Sequence, residues 1–124
     1  MINSYKDLLV WQKSMNLVEL CYKVTGQLPK NEKYTISSQI NRAAISIPSN
    51  IAEGYKRNGR AEYVQFCGIA SGSAAELETQ LIIVSRVYCR TDYVTESLNS
   101  VAEVQKMLYA LIKRLQAKPK PLNP

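Results

Sequence analysis

The chain has 124 residues, with 16 Lys and Arg against 10 Asp and Glu, so its formal net charge is +6. This length suits a single domain with one core, and the basic excess favours contact with polyanions. There is no histidine. The usual general base at neutral pH and the commonest metal ligand are therefore missing, which excludes most ordinary enzyme mechanisms.

The first predicted helix runs from about Asp7 to Val24. Its apolar residues alternate three and four positions apart, the period of a helix packed along one stripe. Ser4 and Asp7 resemble a capping box with a shortened acid, and Gly26 with Pro29 predicts the end of the helix. The predicted packed stripe is Leu8, Trp11, Met15, Val18 and Tyr22.

The second predicted helix runs from about Asn31 to Gly54 or Arg57, where Asn58-Gly59 predicts a turn. Pro48 lies inside it, removes one backbone donor and predicts a kink. Its apolar stripe is Ile36, Ile40, Ala43, Ile47, Ile51 and Tyr55. A polar stripe runs beside it and consists of Gln39, Arg42, Ser46, Ser49, Asn50 and Glu53.

This polar stripe, together with Pro48 and Glu76, has two interpretations. In the first, it is a surface that contacts a ligand or another subunit. In the second, it is a network inside the bundle whose polar groups all form hydrogen bonds. In the second interpretation Asn50 or a serine hydroxyl serves backbone groups that Pro48 frees, and Arg42 pairs with a carboxylate of the third helix. Both interpretations explain why polar side chains accompany a proline within an apolar helical pattern.

The third predicted helix is about 40 Å long at 1.5 Å per residue. Its apolar stripe is Tyr63, Phe66, Ala70, Ser73, Leu77, Leu81, Val84 and Tyr88. Small residues cluster between Gly68 and Ala75 and predict close packing of a neighbouring helix. Thr91-Asp92 marks its boundary with the next helix.

The fourth predicted helix is amphipathic and ends before the Lys118-Pro119-Lys120-Pro121 segment. Its stripe is Val94, Leu98, Val101, Leu108, Ile112 and Leu115. Short turns between long helices predict an all-α, antiparallel up-down-up-down four-helix bundle. The bundle covers residues 1–117, and residues 118–124 form a Pro/Lys tail.

The remaining residue types predict no catalytic, metal or cofactor site. Glu53, Glu62, Glu76 and Glu78 suggest a di-metal bundle, but such a site needs Glu-x-x-His on two helices. The three cysteines are odd in number and lie inside apolar periodic stretches, so Cys21, Cys67 and Cys89 are predicted to be small buried residues. A reducing cytoplasm fits this prediction best. No signal peptide or membrane span is predicted.

Three ordered stretches resemble a bacterial family, the small helical bundle proteins named for members encoded within 23S ribosomal RNA intervening sequences. They are Asp7-Leu-Leu-Val-Trp-Gln-Lys-Ser-Met, Gln39 through Gly54, and Glu62 through Phe66 continuing to Gly72-Ser73 and Glu76 through Leu81. The resemblance implies a four-helix bundle and a homopentamer. The chain is also similar to accessory proteins of diversity-generating retroelements, which bind nucleic acid and a reverse transcriptase. It departs from the family pattern at Asn41, where arginine is usual, and at Cys67, where leucine is frequent.

The predicted topology places three segments at one pole of the bundle: the start of the first helix, the turn between the second and third helices, and the tail. Eight cations at this pole oppose three carboxylates. The cations are Lys6, Lys56, Arg57, Arg60, Lys113, Arg114, Lys118 and Lys120; the carboxylates are Asp7, Glu53 and Glu62. All of these cations except Lys6 are our candidate nucleic-acid contacts in a non-enzymatic homopentamer that binds RNA or DNA without sequence preference.

Two alternatives stay open for this pole. One is a solvated surface whose charges complement helix dipoles. The other is a protein-interaction scaffold or accessory subunit, for example for a reverse transcriptase. Most of the eight tyrosines fall on or near the apolar stripes, so phosphate contact is favoured over stacking on bases.

Overall fold

The computed structural model describes residues 2–117 of the chain. They form four α-helices and two short 3-10 helices, with no strand in that range. The α-helices are α1, Leu9–Thr25; α2, Ile36–Lys56; α3, Arg60–Val87; and α4, Val94–Gln116. The 3-10 helices are Tyr5–Asp7 and Lys30–Glu32. The predicted tail, 118–124, lies outside the described residues.

The four helices form the predicted all-α antiparallel bundle. Each helix packs on its two neighbours in the order α1, α2, α3, α4 and back to α1. The connections are short, which forces successive helices to run in opposite directions. The core consists of one apolar cluster to which all four helices contribute, and its largest fully buried residues include Leu17, Ile40, Ile47, Leu77 and Leu108.

The start of α1 differs from the prediction by two residues. Leu8 is extended, with φ −72° and ψ 126°, so the α-helix begins at Leu9. The Ser4 hydroxyl accepts a hydrogen bond from the Lys6 backbone N–H at 3.2 Å, and the Asp7 carboxylate accepts one from Asn3 at 3.0 Å. The predicted pair of side chains therefore caps the preceding 3-10 turn, and α1 has no side-chain cap.

The predicted stripe of α1 is not the stripe that fills the core. The buried residues of α1 are Val10, Ser14, Leu17, Cys21 and Val24. The predicted stripe lies beside them: Leu8, Trp11 and Val18 are half-buried, whereas Met15 and Tyr22 are exposed. Helix α1 thus carries two adjacent apolar stripes, and the chain alone buries only one of them completely.

Helix α2 begins at Ile36, five residues after the predicted start. The Lys30–Glu32 segment forms a 3-10 turn, and the Thr35 hydroxyl donates to the Glu32 carboxylate at 2.6 Å. Pro48 is buried within α2, which continues as helix to Lys56. The predicted apolar stripe of α2 does face the core, with Ile40, Ala43, Ile47 and Ile51 buried.

Hydrogen bonds made by side chains connect the segments at the pole where α1 ends and α4 begins. The Gln27 amide donates to the Asp92 carbonyl at 3.0 Å and accepts from the Asp92 N–H at 2.9 Å. The Tyr88 hydroxyl donates to the Glu32 carboxylate at 2.9 Å. These bonds attach both connecting segments to each other across the end of the bundle.

The small residues of α3 divide between two faces. Ala70 and Ala74 are buried in the core as predicted. Gly68 and Gly72 are exposed, and a Cβ atom added to either would meet no atom within 4 Å. Close packing by a helix of the same chain therefore does not account for these two glycines.

Candidate nucleic-acid interface

The candidate interface is the pole where α2 meets α3 and where α4 ends. The Arg60 guanidinium, on the first residue of α3, donates to the carbonyl of Ala117 at 3.1 Å, so the start of α3 touches the end of α4. The N-terminal segment lies beside them, because Ile2 and Leu9 line a cleft together with Arg114. The structure thus brings together the start of the first helix, the turn between α2 and α3, and the end of α4. The tail that was predicted to join them lies outside the described residues.

This pole is basic within the described residues. It carries six cations against three carboxylates, a net charge of +3, and all of its cations are exposed. Its cations are Lys6, Lys56, Arg57, Arg60, Lys113 and Arg114. The other two predicted contacts, Lys118 and Lys120, lie outside the described residues.

Arg57 differs from the other cations because its charge is compensated. Its Nη2 lies 2.7 Å from the Glu53 carboxylate and its Nε lies 3.8 Å from the Glu62 carboxylate. The guanidinium also lies 4.9 Å from the centre of the Phe66 ring. Such exposed pairs add about 0–1 kcal/mol to stability, but they direct the guanidinium along the protein surface. Arg57 is therefore a weaker candidate for phosphate contact than the sequence indicated.

The remaining five cations of the pole have no compensating carboxylate within residues 2–117. Lys6, Lys56, Arg60, Lys113 and Arg114 form no ion pair within 4 Å in that range. Uncompensated charges that lie close together repel one another and attract counter-ions. A polyanion would replace those counter-ions and release them, which is the main driving force for nonspecific binding to nucleic acid.

Exposed aromatic side chains are more frequent than the sequence indicated. Tyr22, Tyr34, Tyr93 and Tyr109 are all exposed. Tyr109 is 66% exposed, and the Lys113 ammonium lies 5.4 Å from the centre of its ring. A base can stack on such a ring. Its position could have been found in the sequence, because Tyr109 falls outside the apolar stripe of the fourth helix.

An apolar cleft adjoins the basic pole, and the sequence analysis missed it. Its volume is about 540 Å³, and it lies between the N-terminal segment and the last turns of α4. Apolar side chains dominate its lining, with one acid and one base at its edge: Ile2, Asp7, Leu8, Leu9, Val10, Met107, Ala110, Leu111 and Arg114. No spacing within one helix reveals it, because two distant segments form it.

The polar stripe of α2 forms a small network with α3. The Asn50 amide donates to the Ser46 carbonyl at 2.8 Å and to the Ser46 hydroxyl at 2.9 Å. The hydroxyls of Ser46 and Ser73 are hydrogen-bonded at 2.8 Å. Asn50 therefore serves the Ser46 carbonyl and not, as predicted, a group that Pro48 frees. That group is the carbonyl of Ala44, four residues before Pro48, from which the proline removes the usual donor.

The other members of the stripe do not join this network. Gln39, Arg42, Ser49 and Glu53 are exposed, and so is Glu76 of α3. Within residues 2–117, the Arg42 guanidinium forms no ion pair within 4 Å, so the predicted pair with a carboxylate of the third helix is wrong for the single chain. The Asn41 side chain accepts a hydrogen bond from Thr25 at 3.2 Å and so links α2 to α1.

The thiols differ in their environments. Cys21 and Cys67 are buried, and desolvation raises the pKa of Cys21 to about 12 and the pKa of Cys67 to about 11. Cys89 is exposed, contrary to the prediction, because α3 ends at Val87 and leaves it in the following turn. In residues 2–117, no three His, Cys, Asp or Glu side chains converge in a way that could hold a metal.

No helix within the described residues is both long enough and apolar enough to span a bilayer. The geometry defines a small helical bundle with a cationic pole and large exposed apolar side chains. The chain belongs to the family described as 23S rRNA-intervening sequence protein, whose pattern matches residues 6–110. This finding confirms the family resemblance inferred from the sequence.

A solved structure gives the same fold. The chain is similar to a protein of unknown function from the S23 ribosomal protein family of Bacteroides thetaiotaomicron VPI-5482, with a TM-score of 0.72 and 27% sequence identity. The similarity covers 85% of this chain and 99% of that protein. No curated protein matches the chain.

Proposed function

We propose that this chain is a non-enzymatic, self-associating bundle that binds the phosphates of RNA or DNA without sequence preference. The observation that carries the proposal is the group of five cations at one pole without ion pairs inside residues 2–117. The absence of histidine supports a role in binding rather than catalysis. Its two buried, unpaired thiols suit a reducing cytoplasm.

Self-association strengthens the same surface. The resemblance of the sequence to pentameric bundles implies a ring of five copies, and such a ring places five basic poles on one rim. A polyanion that contacts one copy is then held near the next, so weak contacts at each copy add up to a higher total affinity. The affinity falls steeply with salt because each neutralised phosphate releases counter-ions.

A charge-reversal pair with a matched control tests the phosphate contact. Lys56→Glu with Arg60→Glu alters the basic pole, and Lys30→Glu with Lys33→Glu makes the same change in net charge at the opposite pole. We expect the first variant to bind a labelled RNA of mixed sequence at least about tenfold more weakly at 50 mM salt, with a shallower salt slope. The second variant should bind nearly as well as the natural chain.

Fluorescence anisotropy at 50, 100 and 200 mM salt measures these affinities. Equal losses in the two variants would mean that total charge, and not the basic pole, determines binding. An affinity that does not change with salt would contradict phosphate contact altogether.

The exposed tyrosine allows a test of stacking. Tyr109→Ala is expected to weaken binding to single-stranded RNA by about 1–3 kcal/mol if one base stacks on the ring. Binding to duplex DNA of the same length should not change, since its bases are already stacked. Equal losses for both nucleic acids would show that the ring does not distinguish unstacked bases.

A second candidate function is an accessory subunit for a larger nucleic-acid enzyme such as a reverse transcriptase. The apolar cleft beside the basic pole favours it, because an apolar side chain of a protein partner fits there and a phosphate does not. Leu9→Gln makes the cleft polar without changing the net charge, so it should then leave the RNA affinity of the isolated chain unchanged and remove binding to the partner. Loss of RNA binding in this variant would contradict a separate protein surface.

A further inference from the structure

An apolar groove runs along the outside of the bundle between α1 and α2. We define this α1–α2 groove by Trp11, Met15, Val18, Ile45, Pro48 and Ala52. Its cavity has a volume of about 310 Å³, and no charged side chain lines it. The second apolar stripe of α1 forms one wall. The chain thus maintains a regular apolar stripe that its own core covers only in part.

A second unpartnered surface lies on α3. We define this α3 outer face by Gly68, Ile69, Gly72, Glu76 and Ile83. Ile69 is 46% exposed and Ile83 is 44% exposed. Each of the two glycines costs the helix about 1 kcal/mol relative to alanine, and neither makes room for another part of the same chain. A backbone or side chain from outside can approach α3 closely at these positions.

One unpaired charge of opposite sign accompanies each surface. Arg42 lies at the end of the groove, where it lines the larger cavity of about 1000 Å³ that continues past Ile45. Glu76 lies on the α3 outer face between Gly72 and Ile83 in the helical order. Within residues 2–117 neither side chain forms an ion pair or a side-chain hydrogen bond. The two surfaces are therefore complementary in charge as well as apolar.

The two surfaces also lie at matching heights along the bundle. Helices α2 and α3 are antiparallel neighbours, so both extend from the turn at Asn58 towards the opposite pole of the bundle. At 1.5 Å per residue, Pro48 and Gly68 both lie about 15 Å from that turn. Arg42 and Glu76 lie about 24 Å and about 27 Å from it. A rotation about an axis parallel to the helices preserves these heights, so it brings each group level with its counterpart on the next copy.

We propose that the α3 outer face of one copy packs into the α1–α2 groove of the next copy, with Arg42 of one facing Glu76 of the other. This inference rests on the proposed self-association and specifies its contact surfaces. Two different surfaces make a heterologous contact, which closes into a ring when the rotation between copies allows it. The contact buries the exposed stripe of α1 and uses the space beside both glycines.

Complementation between two variants tests the contact. Ile45→Asp places a charge in the groove and leaves the α3 outer face intact, whereas Ile69→Asp does the reverse. We expect each variant alone to be a monomer of 14.0 kDa. Mixed in equal amounts they should form a dimer, in which the intact α3 outer face of the Ile45→Asp chain packs into the intact groove of the Ile69→Asp chain. This dimer cannot grow, because its two unoccupied surfaces both carry the introduced charge. Tyr109→Asp, an equally drastic change outside both surfaces, should assemble like the natural chain.

Light scattering coupled to size exclusion measures these masses, and circular dichroism checks that each variant is folded. A misfolded variant is replaced by the reversal Arg42→Glu or Glu76→Arg, each of which should weaken assembly at least tenfold, with recovery in the doubly reversed chain. If Ile69→Asp alone still assembles, or if no mixture forms a dimer, the assigned surfaces are wrong while self-association stands. A natural chain that is monomeric at every concentration would overturn both proposals.

Discussion

Gly54 provides a sharp test of how closely α2 and α3 pack near the basic pole. It is buried, and a Cβ atom added there would lie 2.8 Å from the Cβ of Phe66 and 3.1 Å from a ring carbon of Tyr63. The Phe66 Cβ is fixed to the backbone of α3, so no side-chain rotation relieves the overlap. Gly54→Ala therefore requires the two helices to move apart.

Two opposing effects determine the size of the change. Alanine improves helix propensity by about 1 kcal/mol over glycine, whereas overpacking a tight contact costs about 1–3 kcal/mol. The geometric conflict involves backbone-anchored atoms, so we take the upper part of this range. We expect a net loss of about 1–2 kcal/mol in the free energy of unfolding, or a melting temperature lower by about 4–8 °C.

Gly68→Ala is the matched control, because the same substitution there meets no atom within 4 Å. It should raise the free energy of unfolding of the monomer by about 1 kcal/mol. Urea denaturation at several protein concentrations separates this gain from any effect on self-association. If Gly54→Ala were as stable as the natural chain, α2 and α3 would be less closely packed than the structure indicates.

Three further predictions concern single side chains. Only Cys89 should react with a thiol reagent in the folded chain; early labelling of a second thiol would contradict the buried positions of the other two cysteines. Hydrogen bonds from Thr35, the larger effect, and from Tyr88 lower the pKa of Glu32 below its ordinary value of 4.5. The stability that these bonds add to the folded chain is therefore present above pH 4.5 and is lost as the pH falls through the lowered pKa. Tyr88→Phe should therefore weaken the dependence of the urea midpoint on pH in this acidic range, and an unchanged dependence would contradict the bond. Asn50→Ala should lower the free energy of unfolding, measured by urea denaturation, by about 1 kcal/mol. An unchanged free energy would mean that the hydrogen bonds of the Asn50 side chain add no net stability.

The number of helices and most of their ends could be predicted from the sequence. The turns at Asn58-Gly59 and Thr91-Asp92 separate regular apolar patterns, and these local signals were sufficient to predict separate helices and hence a bundle. The starts of α1 and α2 could not be located as well. In both cases a 3-10 turn precedes the helix. Ser4, which resembled a cap of the first helix, caps the first of these turns, and the Thr35 hydroxyl donates to Glu32 in the second.

The location of the candidate site could be predicted from the sequence, but not which of its cations form ion pairs with carboxylates. Short connections place the ends of alternate helices at one pole, so Lys56, Arg60 and Lys113 could be assigned to it from topology alone. Whether a cation is free depends on rotamers and on carboxylates one turn away. Arg57 lies between Glu53 and Glu62. Its spacing of four residues from Glu53 is a signal that the sequence contains, whereas its approach to Glu62 across the turn is not.

The two stripes of α1 show what periodicity measures. Alternation of apolar residues by three and four positions indicates that a helix face is kept apolar, and it does not say which surface covers that face. Leu17 and Cys21 lie on the stripe that the bundle itself covers, whereas Met15 and Tyr22 lie on the stripe that it leaves exposed. Maintaining the exposed stripe makes physical sense if another molecule covers it, because exposed apolar patches favour association. The error in the predicted stripe of α1 thus has the same physical origin as the proposed contact between copies.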